Sequence, residues 1–258
     1  MKIKYNSAMR FFKISLLFFS ISVFSQNDLS TPFERGNGNQ STTYEECIAF
    51  YEKLDESFAN IQMIQKGTTD SGKPLHLVLF SSEGKFDFDE YFTKNKAVIL
   101  INNGIHAGEP DGIDATMMLM RDLAMGKIKT AKNTLIAAIP VYSVGGMLNR
   151  NSHSRANQNG PEEYGFRGNA RNYDLNRDFI KSDTKNSRSF QKLFTELNPD
   201  IFLDNHVSNG ADYQYTFTCI ATQHERLGNK LGNYFMNELY PSVVKDMNKK
   251  KIDVVPYV

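Results

Sequence analysis

His106 and Glu109 stand three residues apart in Asn103-Gly104-Ile105-His106-Ala107-Gly108-Glu109-Pro110, directly after an apolar run at residues 97–101. Imidazole nitrogen and carboxylate oxygen both bind zinc well, and a catalytic zinc site needs three protein ligands plus one position open to water. A third candidate, His206, closes Ile201-Phe202-Leu203-Asp204-Asn205-His206, again at the end of an apolar run. Two strands that each end in such a residue can bring them to one edge of a sheet. Between them lies Asp174-Leu175-Asn176-Arg177. A lone H-x-x-E arises often by chance, and a lone histidine near a strand end is more often hydrogen-bonded than metal-bound. Together, and in this order, they point to one metal site.

The elements that must position these residues follow from pattern. Thr43-x-x-Glu46 is a capping box; it opens an amphipathic helix to about Leu54, with Cys47, Ile48, Phe50, Tyr51 and Leu54 on its inner side. Residues 61–64 and 75–80, split by Asp70-Ser71-Gly72-Lys73-Pro74, predict a hairpin. His76 falls in its second strand and reads as structural. Residues 97–102 and 134–142 are continuous apolar runs, the pattern of strands buried on both faces. Residues 112–125 predict a helix whose Met117, Met118, Met120 and Met125 fill the core. A helix at 186–197, strands at 201–205 and 213–220, and a long helix at 225–248 broken or kinked by Pro241 complete the pattern. Strands alternating with helices indicate an α/β fold: a mixed, largely parallel twisted sheet with helices on both faces. Active sites in such sheets lie beyond the carboxyl ends of strands, where His106 and His206 both fall. Residues 143–178 lack periodicity, and a loop this long in a compact domain is usually functional or disordered. Its arginine density suggests an anion site, although Arg150, Arg155 and Arg171 read as solvated surface.

At 258 residues the chain suits one large domain or two small ones. With 30 Lys+Arg against 29 Asp+Glu it carries no strong field, so neither nucleic acid nor an acidic membrane is implied as a partner. Lys2, Lys4, Arg10 and Lys13 precede an apolar run at 14–24, and Val23-Phe24-Ser25 resembles a cleavage site. Residues 1–25 therefore read as a signal peptide, too short for a comfortable membrane span. The protein is expected to be exported, periplasmic or secreted, with no membrane span after cleavage. A loose polar leader is expected at 26–42 and a catalytic domain at 43–258. Cys47 and Cys219 lie among apolar residues and read as buried free thiols.

The motifs H-x-x-E, N-R and a distal histidine, in that order, resemble those of the zinc metallocarboxypeptidases, the family of carboxypeptidase A, over roughly residues 43–208. The resemblance implies one Zn2+ per chain, held by His106, Glu109 and His206, the ligand set of carboxypeptidase A. It implies that Asp174 accepts a hydrogen bond from the first zinc histidine. It makes Asn176 and Arg177 the pair that grips a peptide's terminal carboxylate. Arg167, nine residues before Asn176, takes the position of an arginine that polarises the scissile carbonyl; Arg155 is the alternative for that role. The activity implied is hydrolysis of the last peptide bond of substrates with a free C-terminal carboxylate. The family's general base, a glutamate on a strand well beyond the distal histidine, has no counterpart. Glu225 and Glu238 fall in predicted helix, and the sheet is expected to be incomplete at the C-terminus. Two alternatives are a zinc deacylase of the succinylglutamate desuccinylase or aspartoacylase type, and a non-catalytic binder of zinc or peptide C-termini.

Overall fold

Thr31 and Thr43 open the first two helices in the same way. Each hydroxyl accepts the N–H of a glutamate three residues on, and that glutamate reaches back to the threonine N–H. The helices are α1 (Pro32–Arg35) and α2 (Tyr44–Ser57); each such cap contributes about 1 kcal/mol. The computed structural model describes residues 28–94, 96–208 and 214–257, so the expected signal peptide lies outside the described residues. The described part of the leader is not loose. Arg121 donates to the Leu29 carbonyl (3.1 Å) and pairs with Glu34, which fastens α1 to the body of the fold.

The hairpin forms as β1 (Ile61–Thr68) and β2 (Pro74–Ser81), followed by α3 (Phe88–Thr93) and β3 (Ala97–Asn102). Then come α4 (Asp111–Ala124), β4 (Thr134–Ile139), α5 (Val144–Leu148), α6 (Lys185–Leu197) and β5 (Ile201–Asp204). The sheet order is β1-β2-β4-β3-β5. The β1/β2 and β2/β4 pairs are antiparallel, while β4/β3 and β3/β5 are parallel. Period-two alternation within β2, β3 and β4 feeds two cores. Val78, Phe80, Ile101, Ile136 and Ala138 face α2 and α4, and Leu77, Leu79, Leu100, Leu135 and Ala137 face α3 and α6. Both faces are covered, so these strands read as unbroken apolar runs. Each fully buried leucine contributes about 1.5–3 kcal/mol.

Several boundaries differ from expectation. β4 ends at Ile139, and Tyr142 and Ser143 instead donate to the carbonyls of Asn103 and Gly104, propping the His106 loop from below. Met117 and Met120 are buried, but Met125 is exposed. β6 (Phe217–Cys219) pairs in parallel with β7 (Val254–Pro256), and between them run α7 (His224–Tyr234), a π-helical turn at Phe235–Leu239 and α8 (Tyr240–Lys249). The helical stretch is interrupted at Gly228, with φ +71°. At Pro241 it continues, but the turn directly before the proline, Phe235–Leu239, widens to a π-helical one, the distortion expected where a proline ring and its missing N–H disturb the ladder. Cys47 is buried and Cys219 only half-buried, and both are free. Among the described residues no helix is long and apolar enough to cross a membrane.

Asp114, in the first turn of α4, is buried and accepts the Thr42 N–H at 3.1 Å. Burial pushes its carboxyl up to about 7, and the Thr42 hydrogen bond offsets this only in part. The folded protein therefore holds a proton between pH about 4 and about 7 that the unfolded chain has released. Stability contributed by this group falls as pH rises through that window, by up to about 1.4 kcal/mol per unit. Asp114→Asn keeps an acceptor for Thr42 and removes the titration. Thermal melts from pH 4 to 8 should show a flatter profile and a higher Tm at pH 8 for this variant; an unchanged slope would show that Asp114 is already ionised in the fold.

Candidate metal centre

β3 and β5 are neighbours in the sheet, with Asn102 opposite Asp204, so their carboxyl ends leave on the same edge. After β3 the chain turns at Gly104, whose φ of +63° suits glycine and whose absent Cβ leaves room for Ile113 Cδ1. The Glu109 N–H then donates to the His106 carbonyl at 3.0 Å, a tight turn that sets both side chains toward one point. His206 stands two residues past β5.

The side chains meet. His106 Nδ1 lies 3.1 Å from Glu109 Oε1, and His206 Nδ1 lies 2.9 Å from Glu109 Oε2. One ligand atom from each of the three residues falls within 4.8 Å of the others. The outer ring nitrogens are both engaged by carboxylates: His106 Nε2 with Asp174 Oδ1 (2.9 Å) and His206 Nε2 with Asp204 Oδ2 (2.9 Å). A neutral imidazole that donates Nε2–H outward presents a lone pair at Nδ1. Both inner nitrogens would then face the Glu109 oxygens, acceptor against acceptor, an arrangement that requires extra protons or a cation between them. Zinc bonds of about 2.0–2.2 Å in a tetrahedron put ligand atoms roughly 3.4 Å apart, close to the 3.1 and 2.9 Å between Glu109 and the two histidines. The donor set thus fits Zn2+.

Burial alone would raise the Glu109 carboxyl, but hydrogen bonds from His106 and His206 and the charges of His106 and Arg155 hold it far below the usual carboxylate range. Hydrogen bonds to Asp204 and Glu109 push His206 up to about 9, against the effect of burial. Burial likewise opposes ionisation of Asp174, and His106 and Arg167 outweigh it. His76, by contrast, is buried and held below its usual value by burial alone, as a structural histidine should be.

Arg167 reaches the site. Its Nε and Nη2 both bond Asp174 Oδ2 (3.2 and 2.9 Å), while Nη1 lies 3.5 Å from His106 Nδ1 and 3.9 Å from Glu109 Oε1. Arg155 is not solvated surface. Its Nη2 lies 3.1 Å from Glu109 Oε1, its Nε donates to Gln158, and its stem crosses Gly108, where a Cβ would stand 2.8 Å from Arg155 Cδ. Arg150 is also half-buried: it donates to the carbonyls of Thr42 and Glu163 and ties the leader to the long loop. Arg171 is exposed, as expected. The long loop is itself fastened by Asp70, whose carboxylate accepts from Asn169 Nδ2 and the Lys185 N–H.

The family model described as zinc carboxypeptidase (peptidase M14) matches residues 47–218. The chain belongs to the zinc carboxypeptidase family. Probable carboxypeptidase 2 of Arthroderma benhamiae is 28% identical over 117 residues, 44% of this chain and 19% of the relative. The carboxypeptidase A of Helicoverpa armigera superposes with a TM-score of 0.59 at 16% identity, over 84% of this chain and 57% of that one. Bovine thrombin-activatable fibrinolysis inhibitor, solved in complex with tick carboxypeptidase inhibitor, superposes with a TM-score of 0.60 at 13% identity, over 84% and 76%. At these identities the solved structures show a shared fold. The match spans about a fifth of the curated relative and just over half of the insect structure.

In this member of the family the Asn176-Arg177 pair occupies a short 3-10 turn, Leu175–Arg177, immediately after Asp174. The Asp174 carboxylate that meets His106 also accepts the Asn176 N–H at 3.0 Å, so one residue holds a candidate ligand and starts the turn that carries the pair. Arg177 is exposed and donates to the Asn176 carbonyl, with no carboxylate partner among the described residues. Glu225 and Glu238 are exposed, on α7 and the π-helical turn, and bond to no residue of the site. Sequence reasoning missed Asp204 as a partner of His206. The signal was present, because residues i and i+2 of an extended segment share a face.

Proposed function

We propose that this protein is a zinc-dependent carboxypeptidase that removes the last residue of peptides with a free C-terminal carboxylate, acting outside the cytoplasm after loss of residues 1–25. The observation that carries this reading is the convergence of His106, Glu109 and His206, with both Nδ1 atoms turned inward. These three residues would hold the metal. When bound, zinc supplies Lewis acidity, activating water and polarising a carbonyl. Asp174 keeps the His106 ring in one tautomer and raises its basicity. Arg167, beside His106 and Glu109, is placed to stabilise negative charge as it develops on the substrate carbonyl oxygen. Arg177 offers a planar fork that can take a carboxylate by two parallel hydrogen bonds, with Asn176 beside it.

The test compares N-blocked dipeptides, their C-terminal amides and N-acyl amino acids as substrates for the purified chain. Free-carboxylate dipeptides should release their last residue, amides should be spared, and activity should vanish with a chelator and in His206→Ala. Hydrolysis of acyl amino acids but not dipeptides would replace the peptidase reading with the deacylase one. Binding of free-carboxylate peptides without turnover would leave a peptide-binding protein.

A further inference from the structure

His206 differs from the other two candidate ligands in how it is held. His106 and Glu109 are almost fully buried, and packing limits their rotation; the His206 side chain is 32% exposed. Its ring makes two polar contacts, Nδ1 to Glu109 and Nε2 to Asp204. If Nδ1 is given to a metal, the Asp204 bond is the one that remains to fix the ring's rotation and tautomer.

Asp204 is itself braced. It is the last residue of β5 and lies in register with Asn102, the last residue of β3. Asn102 is fully buried, and its Nδ2 donates to Asp204 Oδ1 at 2.8 Å, which leaves Oδ2 for His206. The register continues one residue further in side chains. Asn205 Nδ2 donates to Asn103 Oδ1 (2.8 Å), which also accepts from Thr116 Oγ1 of α4 (3.1 Å), and Asn103 Nδ2 donates to the Ile139 carbonyl of β4 (3.0 Å). The first turn of α4 closes over this layer at Gly112, where a Cβ would stand 2.4 Å from Asn205 Cβ. Two asparagines at the end of the strand that carries His106 thus grip the two residues that precede His206.

We propose that Asp204, braced by Asn102, is a positioning residue that holds the His206 imidazole with Nδ1 turned toward Glu109, so the centre is shaped before a metal ion arrives. The centre then has two carboxylate–histidine pairs, one supplied by the long loop through Asp174 and one by the sheet through Asp204. This rests on the reading of His106, Glu109 and His206 as zinc ligands.

Three measurements on the full chain test it: zinc affinity by chelator competition, the visible spectrum of the cobalt(II) form, and the downfield Nε2–H signal of His206 in the zinc-free protein by NMR. Asp204→Ala should weaken zinc binding about 10- to 100-fold, the usual cost of losing an orienting partner. It should also shift the cobalt spectrum and abolish the downfield His206 Nε2–H signal. Asp204→Asn should lose less, because an amide oxygen still accepts from Nε2–H. The Asn102 Oδ1, buried without a partner, can accept from the amide at position 204 once Asn102 turns over. A purely structural Asp204 would lower Tm in both variants while zinc affinity and the cobalt spectrum stayed put. Affinities within twofold of wild type for both variants overturn the proposal; if His206→Ala still abolishes binding, the metal centre itself stands. Failure of the wild-type chain to bind zinc overturns both.

Discussion

Replacing both His106 and His206 with alanine is expected to reduce zinc from one ion per chain to background. The loss should exceed the ~100-fold that removal of an orienting partner costs, because two of three ligands go. The same variant separates the metal's contribution to stability from that of the polar cluster. Wild-type protein in zinc at 1,000 times its Kd should gain about 4 kcal/mol, roughly 8–16 °C for a domain of this size; the double variant should gain nothing. The zinc-free variant should also melt below zinc-free wild type. Glu109 is buried, and its ionised form is held by His106, His206, Arg155 and the Val207 N–H at 3.1 Å. Removing two of these leaves a buried charge less well compensated. Metal analysis after dialysis, with melts in the presence and absence of zinc, reads both effects. Zinc retained at the wild-type level would refute the ligand assignment.

Arg177→Ala should lower kcat/KM for peptides with a free C-terminal carboxylate by about 30- to 5,000-fold, the range that follows from about 2–5 kcal/mol for one half of a desolvated charge pair. Arg177→Lys should recover little, because an ammonium cannot make two parallel bonds to a carboxylate. The fold should hardly notice either change. Arg177 is exposed and bonds only its neighbour's carbonyl among the described residues, so a stability change within about 0.5 kcal/mol is expected, with zinc content intact. Comparison of free-carboxylate and amidated peptides isolates the effect. A variant that loses activity equally on both, or on neither, does not use Arg177 to grip the terminus.

Much of this architecture was legible before any coordinates. The capping box at Thr43, the hairpin around Asp70, the buried runs at residues 97–102 and 134–142 (the second a strand only to Ile139), and the helix at 186–197 are local patterns that local physics enforces. The three ligand candidates also came from residue type and order, and the role of Asp174 from the resemblance to the zinc carboxypeptidases. Where prediction slipped, longer-range forces had the last word. Pro241 was expected to break or kink the long helix, but the helix carries through it with a π-helical turn just before the proline, and the break falls at Gly228. The leader looked loose by composition, yet Arg121 and Arg150, both distant in sequence, hold it down.

Local pattern also could not place the arginines of the long loop. Arg150, Arg155, Arg167 and Arg171 have the same chemistry and similar polar neighbours in sequence. One ties a leader, one crosses Gly108 to reach Glu109, one forks onto Asp174, and one stays in solvent. Those outcomes depend on where an aperiodic stretch of backbone lands, which is set by distant anchors such as Asp70. What the sequence by itself determined is the set of ligand candidates and the strands that carry them, because periodicity and motif spacing are properties of neighbouring residues. What only the tertiary structure decided is which charges surround that set. The parallel register of β3 with β5 sets Asn102 against Asp204 and brings His206 to Glu109, and a close approach at a glycine puts Arg155 on Glu109; neither follows from any local pattern.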